Sequence, residues 1–141
     1  MVDSELIFLN TSPLIYLIEN NPQFYVKVSS FLSKMIYRNS NFATSVISIA
    51  EFGVKPKRTN QLELLEELEE MLDLFEVQVK VITRSMAELS SSIRAKYSTI
   101  QNFDALQIAA AIESNCTLFV TNDKKLKVVK EISIHLIDEL P

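Results

Sequence analysis

The chain has 141 residues, of which 48% are hydrophobic and 23% are charged, and its net charge is −4. These values exclude a disordered chain and favour one globular domain, residues 1–141, with a single core. The negative net charge gives no overall sign of a nucleic-acid-binding protein, although a local group of lysines can still bind phosphate groups. A single glycine, Gly53, excludes a glycine-rich phosphate loop and argues against a turn-rich β-sandwich.

Short apolar runs alternate with amphipathic stretches along the first half of the chain. The run "LIFLN" is typical of a strand buried on both faces, and the "TSP" after it is typical of a helix start. "KPKRTN" is expected to interrupt the helical pattern. The predicted elements are a strand at Leu6–Asn10, a helix capped by Thr11 or Ser12, a helix at Gln23–Tyr37, a strand at Asn41–Val46 and a short helix in which Ser48 and Glu51 have capping-box spacing.

The second half continues the alternation. Its predicted elements are an amphipathic helix at Gln61–Phe75, a strand at Val77–Ile82, a helix from Thr83 or Ser85 to about Tyr97, a buried helix at Asp104–Asn115, a strand at Thr117–Thr121, a helical "NDKKLKVVKE" and a last strand in "SIHLID". This order predicts an α/β domain with a mainly parallel central sheet flanked by helices on both faces. In such sheets, sites form beyond the carboxyl ends of the strands.

Polar residues occur where the predicted strands and helices end. Asn10 follows the first strand, Asp123 follows the "TLFVT" strand, and Glu51 and Asp104 lie on helices. Each also has a purely structural explanation, because Asp is a preferred helix cap, Glu51 can complete a capping box and Asn can turn onto its own backbone.

Taken together, these residues predict a cation site. If the strands are parallel neighbours, positions 10 and 123 emerge at one edge of the sheet. Convergent carboxylates repel one another, and Mg²⁺ or Mn²⁺, which prefer oxygen ligands, would relieve that repulsion. The single histidine and the single cysteine, His135 and Cys116, exclude a His/Cys zinc cluster.

The chain resembles the PIN-domain proteins, the small metal-dependent ribonucleases that include the VapC-like toxins. The matching segments are "FLNTSPLI", "ATSVISIAEF", "NFDALQIAAA" and "LFVTNDKKL", and together they span nearly the whole chain. Each is weak alone, and the set of four in this order is specific. The resemblance implies a parallel α/β fold and an acidic residue at four places, which correspond here to Asn10, Glu51, Asp104 and Asp123 as catalytic and metal-binding positions.

The resemblance also implies hydrolysis of an RNA phosphodiester with Mg²⁺ or Mn²⁺ as cofactor. The ion would polarise the phosphate and lower the pKa of the attacking water. Neighbouring side chains would orient a carboxylate or a water around it, and the candidates are Thr11, Ser12, Thr121 and Asn122. Toxins of this kind are held by an antitoxin, so that partner is implied as well.

Asn10 stands where the family has Asp. It keeps a carbonyl oxygen but loses one negative charge and places an NH₂ where a carboxylate oxygen would be. An engineered exchange, a natural departure and an error in the sequence all remain open as explanations. We expect the change to weaken metal binding and water activation more than the fold.

Basic residues near the acidic positions are candidates for contact with the RNA backbone: Lys55, Lys57, Arg58, Lys124 and Lys125, with Lys127, Arg94 and Lys96 as further members of these groups. An ordinary solvated surface explains them equally well. The leucine-rich helix at Gln61–Phe75 has apolar residues beyond one stripe, which core packing, a homodimer or a protein partner would each cover. The N-terminus lacks the basic segment of a signal peptide and no run is long enough to span a membrane, so we expect a cytoplasmic protein.

Two other functions compete with the nuclease. A non-catalytic PIN-like module that binds RNA or protein would explain Asn10 directly. A phosphoacceptor receiver domain also gathers acids at strand ends, but "FLNTS" and "VKVITR" lack its paired acids and its lysine.

Overall fold

The computed structural model describes residues 5–140. Within this range the chain forms five strands and seven α-helices. In chain order these are β1 (Leu6–Leu9), α1 (Thr11–Ile18), α2 (Tyr25–Tyr37), β2 (Asn41–Ser45), α3 (Val46–Phe52), α4 (Val54–Arg58), α5 (Glu63–Leu74), β3 (Gln78–Lys80), α6 (Arg84–Lys96), α7 (Asn102–Glu113), β4 (Leu118–Thr121) and β5 (Ser133–Leu136). Two short 3₁₀ helices, Lys124–Val128 and Ile137–Glu139, flank β5.

The five strands form one parallel sheet in the order β3-β2-β1-β4-β5, which confirms the predicted α/β class. The chain leaves β1 toward β2 on one side and returns to β4 on the other. The order therefore reverses at β1, and in open α/β sheets the crevice beyond the strand ends at such a point is the usual place for a site. Leu9 pairs with Val120, so the residues after β1 lie beside the end of β4.

Helices cover both faces of the sheet, which explains why the sequence of β1 is apolar throughout. Ile7 and Leu9 pack into the core beneath α1, α2 and α5, whereas Phe8 points to the opposite face beneath α6 and α7. There the ring of Phe8 stacks on Phe119 of β4 with the ring centres 5.2 Å apart. Ile7, Phe8 and Leu9 are fully buried, because helices cover both faces of this parallel strand.

The near absence of glycine has a structural explanation at the helix ends. Five helices are followed by a residue in the left-handed conformation, the position where glycine is most often found. Asn occupies four of these positions and Glu occupies one: Asn20, Asn39, Asn60, Asn115 and Glu76. Asn tolerates this conformation better than other non-glycine residues, so the chain ends its helices without glycine.

The predicted capping box of Ser48 and Glu51 is wrong. Helix α3 begins three residues earlier than that box requires, and Ser45 is its cap, with the side-chain oxygen accepting the backbone N–H of Ile47 at 3.1 Å. Ser48 is instead fully buried inside the helix and Glu51 is exposed. The spacing alone did not identify the cap, because a serine lies at both positions.

Other boundaries also differ from the predictions. The "KPKRTN" segment was expected to break helical structure, yet its first part forms α4, because a proline is tolerated in the first turn of a helix. "NDKKLKVVKE" forms only the short 3₁₀ helix at Lys124–Val128, and the strand predicted at Val77–Ile82 is limited to β3. Helix α1 is preceded by Asn10 as its cap residue, rather than by Thr11 or Ser12. Thr83 caps α6 as predicted.

No helix within residues 5–140 has both the length and the hydropathy needed to cross a bilayer.

Candidate active site

A cleft of about 440 Å³ lies at the carboxyl ends of β1 and β4, at the point where the strand order reverses. The four predicted site positions all line it, although they are spread over more than a hundred residues of the chain. The complete lining is Asn10, Thr11, Ser12, Ile15, Tyr16, Glu51, Asp104, Thr121, Asn122 and Asp123. The sequence therefore identified the residues that meet at this edge of the sheet.

Asn10 is buried at the base of the cleft, and its amide has a defined orientation. Its Oδ1 accepts the Nε2–H of Gln107 at 3.2 Å, while its Nδ2 donates to the Thr121 hydroxyl at 2.9 Å. The Asn10 amide also lies close enough to Asp104 to favour the ionised form of that carboxyl. The residue thus donates its N–H to Thr121 and turns its oxygen toward Gln107.

A buried network of neutral side chains lies beneath the cleft, and Gln107 is at its centre. Gln107 is fully buried, and its Nε2 donates to Ser48 at 2.7 Å in addition to Asn10. Its Oε1 accepts from the Ser45 hydroxyl, and Thr44 is joined to Ser48 at 2.8 Å. No buried side-chain nitrogen or oxygen in the described part of the chain lacks a hydrogen-bond partner.

The sequence reasoning missed Gln107, although a signal was present. It is a polar residue in a helix that was predicted to be buried, three positions after Asp104, so the two side chains lie on one helix face. An unpaired amide in a core costs free energy and therefore needs partners. A buried glutamine directly beneath a candidate acid indicates a network that supports the site.

Thr11 connects this network to Glu51. The Thr11 hydroxyl donates to the Glu51 carboxylate at 2.6 Å and lies 3.4 Å from the Nε2 of Gln107. Thr11 is buried whereas Glu51 is exposed. A short charge-assisted bond from a fixed donor holds the glutamate over the cleft.

Asp104 lies in the first turn of α7, and its environment raises the pKa of its carboxyl to about 6. Burial is the largest cause, and the negative charges of Asp123 and Glu51 act in the same direction. The hydrogen bond from Asn10 and the charge of Lys125 partly oppose the rise. Asp123 and Glu51 therefore both lie close enough for their charges to act on Asp104, as expected where carboxylates gather around a cation site.

Asp123 and its neighbours follow the end of β4. Asp123 caps the 3₁₀ helix at Lys124–Val128 by accepting the backbone N–H of Lys125 at 3.0 Å. The helix-cap role that the sequence offered for this residue is therefore confirmed. The Ser12 hydroxyl accepts the backbone N–H of Asn122 at 3.1 Å, and the Asn122 amide donates to Tyr16 at 2.9 Å. These contacts fix the start of α1 against the end of β4.

None of the basic residues that were predicted to meet RNA lines the cleft. Lys55 of α4 forms an ion pair with Glu19 at 3.2 Å, and Lys57 and Arg58 are exposed on the same helix. Lys124 and Lys125 directly follow Asp123, and the charge of Lys125 reaches Asp104. Of the predicted basic residues, Lys125 therefore lies near enough for its charge to lower the pKa of Asp104.

The donor types in the cleft fit a hard divalent cation, because three interacting carboxylates supply oxygen ligands and negative charge. Their arrangement is not a preassembled metal centre. Within residues 5–140, no group of three or more His, Cys, Asp or Glu side chains is placed to hold one ion. At the fourth position, the oxygen of Asn10 already accepts from Gln107 and its N–H group donates to Thr121.

Comparisons with known proteins place this cleft in a family context. The family model described as PIN domain matches residues 7–132. Among curated protein sequences, none matches this chain.

Three similar solved structures come from bacterial complexes. A chain of VapBC2 from Rickettsia felis, bound to a promoter DNA fragment, is 25% identical, covers 93% of this chain and 98% of its own length, and has a TM-score of 0.69. A chain of FitAcB from Neisseria gonorrhoeae is 23% identical, covers 95% of this chain and 99% of its own length, and has a TM-score of 0.70. A chain of a toxin–antitoxin complex from Klebsiella pneumoniae is 20% identical, covers 89% of this chain and 94% of its own length, and has a TM-score of 0.64.

Proposed function

This chain belongs to the PIN-domain family, and from that premise we propose that it is a metal-dependent endoribonuclease of the VapC type, the toxin of a toxin–antitoxin pair, with an active centre weakened by Asn10. The observation that carries the proposal is the convergence of Glu51, Asp104 and Asp123 on one cleft at the switch point of the sheet. The raised pKa of Asp104, to which both other acids contribute, supports a shared site.

Each residue of the cleft would have its own role in the reaction. Glu51, Asp104 and Asp123 would hold Mg²⁺ or Mn²⁺, and Thr11 would keep Glu51 oriented through its 2.6 Å hydrogen bond. When bound, the ion would supply charge stabilisation at the phosphate and a more acidic water. A carboxylate of the cleft would accept the proton of that water. Asn10 contributes no negative charge and no outward oxygen, so we expect weak ion binding and slow cleavage.

An antitoxin is the proposed protein partner. Similar structures include VapBC2 from Rickettsia felis and a toxin–antitoxin complex from Klebsiella pneumoniae, and each covers most of this chain. The exposed apolar residues Leu62 and Leu74 at the two ends of the α5 region leave surface for such a partner or for a homodimer.

A second candidate function is a non-catalytic PIN module that binds RNA or protein. The orientation of the Asn10 amide favours it, because the oxygen that could bind a metal already accepts from Gln107 and the N–H group donates to Thr121. In that case the nearby amide would favour the ionised form of Asp104 without a cation.

The two candidates are separated by measuring Mn²⁺ binding by calorimetry, and RNA cleavage with and without EDTA, on this chain and on Asn10→Asp. We expect at least tenfold tighter Mn²⁺ binding and faster cleavage in Asn10→Asp, because a fourth carboxylate adds charge and an oxygen ligand. Asp104→Asn in the Asn10→Asp background is the matched control and should abolish both gains.

The outcomes are distinct. Metal binding and EDTA-sensitive cleavage that appear in Asn10→Asp and disappear in the control support the nuclease proposal. Cleavage by both proteins would mean that the other three acids suffice. Absence of Mn²⁺ binding in both would overturn the metal site and favour the binding module.

A further inference from the structure

A second groove lies beside the cleft and shares two of its acids. It has a volume of about 620 Å³, and both Glu51 and Asp104 line it as well as the cleft. Its other walls come from the end of α6, the α6–α7 loop and the start of α7: Arg94, Ser98, Thr99, Ile100, Gln101, Asn102 and Phe103. These two acids therefore separate two adjacent depressions and face both of them.

Phe103 is an unusual component of this groove. The side chain of this apolar residue is 50% exposed, and it stands directly before Asp104 among polar neighbours. Helix α7 buries Ala105, Ile108 and the following alanines in the core, so Phe103 lies off its packed face. An exposed aromatic ring next to a candidate phosphodiester site is suited to stack on a nucleic-acid base.

Arg94 supplies the one positive charge among the residues that line the groove. It is exposed in the last turn of α6 and forms no ion pair with any residue in the range 5–140. Two other basic residues of the same helix are paired, Arg84 with Glu88 at 3.3 Å and Lys96 with Glu131 at 3.5 Å. Arg94 is thus available to a phosphate, whereas these two already have acidic partners.

We propose that this groove binds single-stranded RNA next to the bond that is cut, with a base stacked on Phe103 and a neighbouring phosphate held by Arg94. This inference rests on the proposed function, and it adds the residues that position the strand beside Glu51 and Asp104. A base exposes its face to a side chain only when it is unpaired and unstacked, so a duplex cannot use Phe103 in this way. The neutral polar side chains of the loop, Ser98, Thr99, Gln101 and Asn102, offer hydrogen bonds to the sugar and base edges.

The test is fluorescence anisotropy with a labelled twelve-nucleotide single-stranded RNA and the same sequence as a duplex, in EDTA so that no cleavage occurs. We expect Phe103→Ala to weaken single-strand binding about tenfold, the loss of one stacked base. Phe103→Trp should retain it. Arg94→Ala should weaken binding and reduce the slope of log affinity against log salt by about 0.7, the loss of one phosphate contact.

Matched controls come from the same chain. Tyr37→Ala removes an aromatic side chain that is 90% exposed on α2, away from the groove, and Arg84→Ala removes an arginine from the other end of α6. Both should bind single-stranded RNA as the unmodified chain does.

The failures of the two proposals are distinguishable. If the unmodified chain binds single-stranded RNA and Phe103→Ala and Arg94→Ala bind equally well, the groove proposal is overturned and the nuclease proposal stands. Equal affinity for the duplex would overturn the single-strand assignment. If the unmodified chain binds neither RNA, the groove proposal fails, and the nuclease proposal is decided separately by the Mn²⁺-binding and cleavage measurements.

Discussion

Gln107 donates its side-chain amide to the Oδ1 of Asn10 at 3.2 Å, although the two residues are 97 positions apart in the chain. Because the opposite end of the Gln107 amide accepts from Ser45, the glutamine cannot turn over without losing partners. Its orientation in turn fixes the orientation of Asn10. A carboxylate at position 10 would find the same donor in place, so the surroundings of residue 10 would also suit Asp.

Gln107→Leu should destabilise the protein by about 3 kcal/mol, because leucine has a similar volume but leaves the buried Asn10 oxygen without its donor and the buried Ser45 hydroxyl without its acceptor. Urea unfolding followed by circular dichroism measures the change. Gln101→Leu, at an exposed position just before α7, is the control and should change the free energy of unfolding by less than 0.5 kcal/mol, as is usual on the surface. A loss below about 1 kcal/mol in Gln107→Leu would show that the network relaxes without the amide.

The hydrogen bond between Thr11 and Glu51 should appear as a coupling free energy of about 1 kcal/mol in a double-mutant cycle of Thr11→Val and Glu51→Ala. The physical reason is the 2.6 Å contact between a buried hydroxyl and a carboxylate. The same cycle with Glu63→Ala, at an exposed position of α5, provides the comparison and should be additive. Additivity in both cycles would mean that Thr11 does not hold Glu51 in solution.

Asp104 should make the stability of the protein depend on pH in the weakly acidic range. Its pKa is raised from 3.8 to about 6 by burial and by Asp123 and Glu51, so between these values the folded state binds more protons than the unfolded state. The free energy of unfolding therefore falls as the pH rises from 4 to about 6. Relative to Asp104→Asn, the unmodified chain should lose stability across this range and then level off.

Chemical unfolding at several pH values in EDTA measures this difference. Asp73→Asn, at an exposed position of α5, is the control variant, and its curve should run parallel to that of the unmodified chain. Parallel curves for Asp104→Asn as well would contradict a raised pKa for Asp104.

Glu76→Gly should raise the free energy of unfolding by about 1 kcal/mol. Glu76 follows α5 with a φ of 51°, and this left-handed conformation is sterically unfavourable for any residue that has a Cβ atom, whereas glycine adopts it freely. The backbone bonds of this turn, from Glu76 to Asp73 at 3.1 Å and from Val77 to Leu72 at 2.8 Å, need no side chain at 76. Thermal unfolding measures the gain. Glu70→Gly, within α5, should show the opposite sign, since glycine is unfavourable inside a helix.

Local sequence patterns predicted much of the fold and failed at specific positions. The apolar runs of β1 and β4 were recognisable because both faces of a parallel strand are covered. The caps at Ser45 and Asn10 were misplaced, since serine, threonine and asparagine are all suitable caps and several of them adjoin each helix start. Helix α4 was missed because "KPKR" has the composition of a loop, while its proline lies in the first turn of the helix.

The sequence by itself determined the α/β class and the positions of Asn10, Glu51, Asp104 and Asp123, because strand periodicity and parallel topology bring the ends of strands to one edge. Only the tertiary structure decided the orientation of the Asn10 amide, the central place of Gln107 and the second groove beside Glu51 and Asp104. These features depend on contacts between side chains from different helices and strands. Their geometry follows from how α3, α7 and the sheet pack together, which no local pattern encodes.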